Sequence, residues 1–207
     1  IPLCAVHVFE QDVVEQFPEI GDYLQHMRDK YPGQQSSFHD IRLKGYANRQ
    51  MMSALDETNL RRVLKIMLDP DEFLSDHGIR SISKRHERDP YRFVHNQQEY
   101  VVQYLPAESD SGLFGGNSNW RGPIWMPVNF AIIRSLTVYY TYYGNDFKVE
   151  FPTGSGQMAN LYEIAEHLAH RLVSIFTRNT EGLRPVFGSQ HTFQSDPNWK
   201  DYLLFYE

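Results

Sequence analysis

One long apolar segment, residues 124–143, restricts the fold of this chain more than any other feature of its sequence. The segment reads IWMPVNFAIIRSLTVYYTYY, with Pro127 suited to a first helical turn and Gly144 suited to the residue that follows the last turn. A helix that is apolar nearly all round has to be covered on every side in water. We therefore predict a helix over residues 124–143 that is buried on all sides.

Four other segments carry apolar residues at helical spacing, which predicts helices over residues 2–15, 19–31, 57–68 and 156–177. Asp56 is a suitable N-cap for the third of them. The last has a single apolar stripe and should face solvent. An inner helix followed by an outer one indicates helical hairpins arranged around a centre. Between them, residues 70–123 are predicted as short extended pieces and a site loop. The predicted fold class is all-α, with short extended segments in the loops.

Charge and cysteine content narrow the choice of partners. The formal net charge is −6, so the chain lacks the basic excess with which nucleic-acid-binding proteins neutralise phosphates. The single cysteine, Cys4, excludes an internal disulfide framework and a thiolate-rich metal site. The sequence has no apolar run of bilayer length and no secretory signal pattern. We therefore expect no nucleic-acid or membrane partner, and a cytoplasmic protein.

Two short motifs resemble ligand sites but are better explained by structure. The glycines of PTGSGQMA, residues 152–159, precede a helix, yet no second strand with an acidic residue follows about 20 residues on, as a dinucleotide site requires. A tight turn and close packing, with Ser155 as the helix cap, is the favoured interpretation. His167 and His170 lie three residues apart without a third metal ligand, which favours a solvated helix face. We predict no cofactor and no metal site.

Residues 108–125, ESDSGLFGGNSNWRGPIW, combine carboxylate, amide, guanidinium and indole groups in a glycine-rich stretch. One interpretation buries both tryptophans against the long helix and pairs Arg121 with Asp110. The other is a wall for a sugar ring, because indole covers the C–H face of a pyranose while the polar groups bind its hydroxyls. On that interpretation the substrate-binding residues are Glu108, Asp110, Phe114, Asn117, Asn119, Trp120, Arg121, Trp125 and, one turn into the helix, Asn129.

Five stretches of the chain resemble glycoside hydrolase family 63, in its bacterial and fungal branch of mannosyl-oligosaccharide glucosidase-like members. They are IPLCAVHVFE, LDETNLRRVLKIMLDPDEFLSDHGIRSIS, ESDSGLFGGNSNWRGPIWMPVNF, YYGNDFKVEFPTGSG and RPVFGSQHTFQSDPNWKDYLLFYE. The NWRGPIW element is the most specific, because related helical-barrel glycosidases have similar Trp-Arg-Gly-Pro segments. The resemblance extends over nearly the whole chain.

The resemblance implies a partial (α/α)6 barrel of the six-hairpin glycosidase type, with residues 1–207 as one segment of the catalytic domain, incomplete at both ends. It also implies hydrolysis of O-glycosidic bonds, α-glucosidase-like, with inversion, which uses one carboxylic acid and one carboxylate base. Glu207, in the FYE that matches the start of the family's Glu-x-aromatic element, is the candidate base. The family's acid is an aspartate upstream of the matching region, so residues 1–207 alone are expected to be inactive.

The expected partners are an oligosaccharide or small glycoside and the remainder of the same catalytic domain. Two alternatives stay open from the sequence. A non-catalytic carbohydrate-binding helical barrel would lack the upstream aspartate. A sugar epimerase on the same fold would place histidines in the pocket, and none of the nine histidines lies in residues 108–125.

Replacing Arg121 by lysine tests the sugar-wall interpretation. An ammonium group is a point charge and cannot reproduce the planar fork of donors that a guanidinium offers to neighbouring hydroxyls. In the parent enzyme, R121K should lower kcat/KM strongly, as measured with the best glycoside substrate. An unchanged kcat/KM would exclude a clamp role for Arg121.

Overall fold

A computed structural model describes residues 2–10, 16–31, 38–105 and 124–203 of the chain. Within these residues it has five α-helices and eight β-strands. The helices are α1 (Pro18–Lys30), α2 (Glu57–Met67), α3 (Met126–Tyr143), α4 (Leu161–Ser174) and α5 (His191–Ser195). The strands are β1 (Val6–Phe9), β2 (Gln50–Ser53), β3 (Leu74–Ser75), β4 (Gly78–Ile79), β5 (Tyr91–His95), β6 (Gln98–Val102), β7 (Lys148–Glu150) and β8 (Met158–Asn160).

The prediction of an all-α fold, a partial (α/α)6 barrel, is wrong. The strands form four antiparallel two-stranded sheets, β1 with β2, β3 with β4, β5 with β6 and β7 with β8, so the chain is mixed α/β. The helix predicted over residues 2–15 is wrong in its described part, residues 2–10, where a 3-10 turn at Pro2–Cys4 is followed by β1. Short apolar runs fit helix and strand equally well, and the partner that decides between them, β2, lies more than 40 residues away in the sequence.

The described residues fall into two compact units. The first unit is drawn from Ile1–Asp69 and Phe130–Glu166, and the second from Pro70–Asn129 and His167–Glu207. In the first unit, α2 follows the predicted pattern, with Leu60, Leu64 and Met67 buried. Each fully buried leucine contributes about 1.5–3 kcal/mol of transfer free energy. The helix begins where predicted, because the Asp56 carboxylate accepts a hydrogen bond from the Asn59 amide at 2.7 Å.

The long apolar helix is confirmed as α3, and it ends where predicted, before Gly144, whose φ of 67° lies in the left-handed region. The prediction that it is buried on all sides is wrong. Ile132, Leu136 and Tyr139 form a buried stripe, whereas the Phe130 side chain is 68% exposed. The described residues supply packing partners for one face of α3.

The last long helix starts later than predicted, at Leu161, because the preceding residues pair as β7 and β8. Its cap is Asn160 rather than Ser155. The Asn160 side chain accepts hydrogen bonds from the amides of Tyr162 and Glu163, and the Glu163 carboxylate accepts one from the Asn160 amide at 2.8 Å. This reciprocal arrangement is a capping box, which satisfies three amides at the helix start.

The glycines before α4 serve a turn, as predicted, but the close packing predicted for them is wrong. Gly154 and Gly156 have φ of 88° and 74°, values that favour glycine, and nothing lies within 4 Å of the position a Cβ would take at either. Amides of this turn donate to the Glu150 carboxylate, and these hydrogen bonds lower the pKa of Glu150.

The second unit contains the short extended pieces that the sequence predicts after residue 70. The β5–β6 hairpin turns at Asn96 and Gln97, both with positive φ, which is the backbone of a two-residue hairpin turn. Beyond α4, the rings of Phe187, Phe193 and Trp199 pack in succession, with Phe187 fully buried.

Removal of the α2 cap should loosen the first turn of that helix. In Asp56→Ala, the Asn59 amide loses its acceptor at a cost of about 1 kcal/mol, which corresponds to about fivefold faster hydrogen–deuterium exchange of that amide. Asp56→Asn retains an acceptor oxygen and is the matched control. Equal exchange in all three proteins would contradict the assigned cap.

Candidate functional site

In the second unit, the buried side chain of Asn129 forms hydrogen bonds with the backbone of strand β4. Its Oδ1 accepts a hydrogen bond from the Ile79 amide at 2.7 Å, and its Nδ2 donates to the Ile79 carbonyl at 2.9 Å. Nδ2 also donates to the Trp125 carbonyl at 3.1 Å. Asn129 is only 1% exposed. Its amide group therefore supplies Ile79 with the pair of bonds that a neighbouring strand would make.

Gly78 permits this close approach. A Cβ at this position would lie 2.9 Å from Asn129 Oδ1 and 2.9 Å from Leu172 Cδ2, and the φ of Gly78 is 124°. Any larger residue would push the carboxamide away from β4. The neighbouring strand β3 is held from α4, where the Arg171 guanidinium donates to the Ser75 carbonyl. The β3–β4 hairpin is thus fixed from two helices.

Arg80 contacts residues on both sides of the segment 106–123. Its backbone forms an antiparallel bridge with Ile124, immediately after that segment. Its guanidinium lies over the ring of Tyr104, just before the segment, with 5.8 Å from Cζ to the ring centroid. Tyr104 and Ile124, which flank the segment in the sequence, therefore lie beside the same residue.

The guanidinium of Arg80 is itself fixed by backbone carbonyls. Its Nη1 donates to the carbonyls of Leu74, Pro70 and Glu72, at 2.6, 3.1 and 3.4 Å. Next to this turn, the Ser83 hydroxyl donates to the Glu72 carboxylate. These hydrogen bonds connect residues within 70–83 to one another, so Arg80 has the role of a structural anchor.

Two of the ten residues that the sequence assigns to the site lie in the described residues. Trp125 is half-buried and directly follows Ile124, which bridges Arg80. Asn129 is bonded to β4, as described above, and its predicted role in binding hydroxyls stays a prediction. The other eight lie outside the described residues: Glu108, Asp110, Phe114, Asn117, Asn119, Trp120, Arg121 and Glu207.

The sequence interpretation missed the anchoring roles of Gly78 and Arg80. Both belong to HGIRSIS, a stretch that has no helical or alternating pattern to single it out. A glycine followed closely by a charged residue in an aperiodic stretch was the available signal. It does not identify the residue with which the glycine makes contact.

His167 and His170 are exposed on α4, as are Glu163 and Glu166, which confirms the predicted solvated face. In the part of the chain that the structure describes, no group of three or more histidine, cysteine or acidic side chains is arranged to hold a metal ion. Among the described helices, none has the length and apolar character needed to cross a bilayer.

Comparison with known proteins identifies the class of this chain. The model of the glycosyl hydrolase family 63 C-terminal domain matches residues 6–174, which include Gly78, Arg80, Trp125 and Asn129. The chain belongs to this family.

Two relatives come from Saccharomyces cerevisiae. The uncharacterized protein YMR196W is 42% identical over 210 residues, which cover 100% of this chain and 19% of that protein. Mannosyl-oligosaccharide glucosidase is 30% identical over 82 residues, 39% of this chain and 7% of that protein. The chain thus spans about a fifth of the first relative and less of the second.

The pair of hydrogen bonds between Asn129 and Ile79, called here the Asn129 clamp, can be tested in the protein that contains this chain. Asn129→Ala leaves the amide and the carbonyl of Ile79 buried without partners, at about 1–3 kcal/mol each. The Ile79 amide should then exchange with deuterium at least about tenfold faster. Asn198→Ala, at an exposed asparagine of the same unit, is the control. Unchanged protection of Ile79 in Asn129→Ala would contradict the clamp.

Proposed function

We propose that this chain is part of the catalytic domain of an α-glucosidase-like glycoside hydrolase, which cleaves O-glycosidic bonds with inversion. The observation that carries the proposal is the family match over residues 6–174, which includes the whole segment 108–125. Additional support comes from the relative named as a mannosyl-oligosaccharide glucosidase. The substrate is an oligosaccharide or a small glycoside.

The arrangement around Arg80 suits this chemistry. A sugar site requires aromatic faces and directional hydrogen-bonding groups that stay in place when water is displaced. Segment 106–123 carries such groups, and Arg80 contacts Tyr104 and Ile124, which flank it, with Trp125 directly after the bridge at Ile124. We assign the sugar-stacking role to Trp120 and Trp125 and the hydroxyl-binding role to Arg121 and its neighbouring asparagines.

Inversion is a single displacement by water. An acid protonates the leaving oxygen while a base removes a proton from water on the opposite ring face, with the two carboxyl groups about 6.5–9.5 Å apart. Glu207 is proposed as the base. The acid is proposed to lie in the longer protein, outside residues 1–207.

The test uses the full-length protein and a panel of α-glucosides and α-mannosides. Sugar release is followed by proton NMR, so that the anomer formed first is seen before mutarotation. We expect the β-anomer first from an α-glycoside, and loss of about 10²- to 10⁴-fold in kcat for Glu207→Gln.

Glu181→Gln, at an exposed glutamate, is the matched control and should retain activity. Release of the α-anomer first would contradict inversion. No release from any member of the panel would favour a non-catalytic carbohydrate-binding protein. Interconversion of a free sugar without hydrolysis would indicate an epimerase.

A further inference from the structure

The first unit contains a cavity of about 580 Å³ that the proposed function does not use. Its walls come from residues 38–46, from the start of α2 and from the end of α3. The volume lies within the range of about 300–1,000 Å³ of small-molecule sites. Aromatic rings and polar groups alternate around it, among them Phe38, Tyr46, Thr58 and Tyr142.

Tyr46 presents a ring that is fixed and exposed at the same time. A Cβ at Gly144 would lie 3.2 and 3.3 Å from two carbons of Tyr46, so the tyrosine packs directly on this glycine. Yet 64% of Tyr46 remains exposed. A ring that is held on one side and open on the other loses little conformational entropy when a ligand stacks on it.

The turn that carries Tyr46 has an unusual backbone. Ala47 and Asn48 have φ of 56° and 58°, a region that residues other than glycine rarely occupy. The Arg49 amide closes the turn by donating to the Tyr46 carbonyl at 3.2 Å, and the Arg49 guanidinium donates to the Thr141 carbonyl at 3.1 Å. The strained turn is therefore attached to the last turn of α3, and strain maintained in this way is frequent at ligand sites.

The inner wall offers uncharged hydrogen-bonding groups. The Tyr142 hydroxyl is within hydrogen-bond distance of the Leu43 carbonyl, at 3.2 Å, and of His39 Nε2, at 3.0 Å. Burial raises the pKa of Tyr142 to about 12, which keeps it neutral at physiological pH. The hydroxyl of Tyr143 is buried and, among the described residues, has no hydrogen-bond partner.

The charged groups in the cavity wall are Asp40, Asp56, Glu57 and Lys44, and they favour a neutral ligand over a cation. Two of its carboxylates are already paired, Asp40 with Arg42 and Glu57 with Arg61, each at 2.8 Å. The carboxylate of Asp56 accepts the α2 capping bond. A positively charged amine would therefore gain little binding free energy from these carboxylates, whereas hydroxyl groups can donate to the remaining lone pairs of their oxygens.

We propose that this cavity binds one sugar ring of an oligosaccharide, with Tyr46 as the stacking platform. An exposed aromatic face beside ion-paired carboxylates matches a ring with a C–H face and a rim of hydroxyls. The choice of a sugar among neutral polyhydroxylated ligands rests on the proposed function. Thr58 and the paired carboxylates hold the hydroxyls.

Hydroxyl-radical footprinting of the full-length protein tests the site residue by residue. The probes are methyl α-D-glucoside, methyl α-D-mannoside and maltose, each at concentrations up to its solubility. Tyr23, on α1, is 62% exposed and is the internal control for Tyr46. We expect at least one probe to lower the oxidation rate of Tyr46 by about threefold or more, because stacking covers the ring, while Tyr23 is unaffected.

Two variants separate the ring from its hydroxyl. The sugar concentration that gives half of the maximal protection of Phe38 should be about tenfold higher in Tyr46→Ala. It should be unchanged in Tyr46→Phe, which retains the stacking face. A shift of equal size in both variants, or in neither, would overturn the platform role. The wild-type footprint needs no variant and does not depend on how the variants fold.

Sugar release is measured on the same preparation, so the two proposals can fail separately. Release without protection of Tyr46 by any probe overturns the cavity proposal and leaves the proposed function intact. Protection of Tyr46 without release from any glycoside supports the cavity and contradicts the proposed function.

Discussion

The structure of the second unit depends on one requirement, that the buried amide and carbonyl of Ile79 have hydrogen-bond partners. Strand β4 has only two residues and one neighbouring strand, so its other edge would be unsatisfied without help. The side chain of Asn129, in the first turn of α3, forms hydrogen bonds with both the amide and the carbonyl of Ile79. Gly78 makes room for it. With β4 fixed, Arg80 is placed to bridge Ile124 and to cover Tyr104, the residues that flank the segment that we propose binds sugar.

In the first unit, a side chain likewise provides a hydrogen-bond partner for a backbone carbonyl at the end of α3. The last carbonyls of a helix have no partner within the helix, and here the Arg49 guanidinium binds that of Thr141. The Tyr142 hydroxyl extends the contact to the Leu43 carbonyl. Residues 38–50, which have little regular structure of their own, therefore acquire a defined shape from side-chain bonds. The cavity beside Tyr46 is a consequence of this attachment, as is the strained turn at Ala47 and Asn48.

Local signals in the sequence correctly predicted the helix α2 and the end of α3, which depend on neighbouring residues. The periodic stripe and the Asp56 cap specified α2, and Gly144 specified the end of α3. The error at residues 6–9 arose because a four-residue strand is determined by its partner, Gln50–Ser53, and not by its own pattern. The position of Asn129, one turn into the long helix, makes it a candidate sugar ligand, but the sequence does not indicate its hydrogen bonds to Ile79. The cavity combines residues from three distant segments, and no spacing in one sequence reveals such a juxtaposition.

A crystal structure of the full-length protein with a thio-linked oligosaccharide, which is not hydrolysed, tests most directly whether the anchored segment binds sugar. We predict a sugar ring in contact with Trp125 and with residues of 106–123, while the two hydrogen bonds between Asn129 and Ile79 are retained. A sugar bound elsewhere in the protein, with no contact to any residue of 106–125, would contradict the central claim.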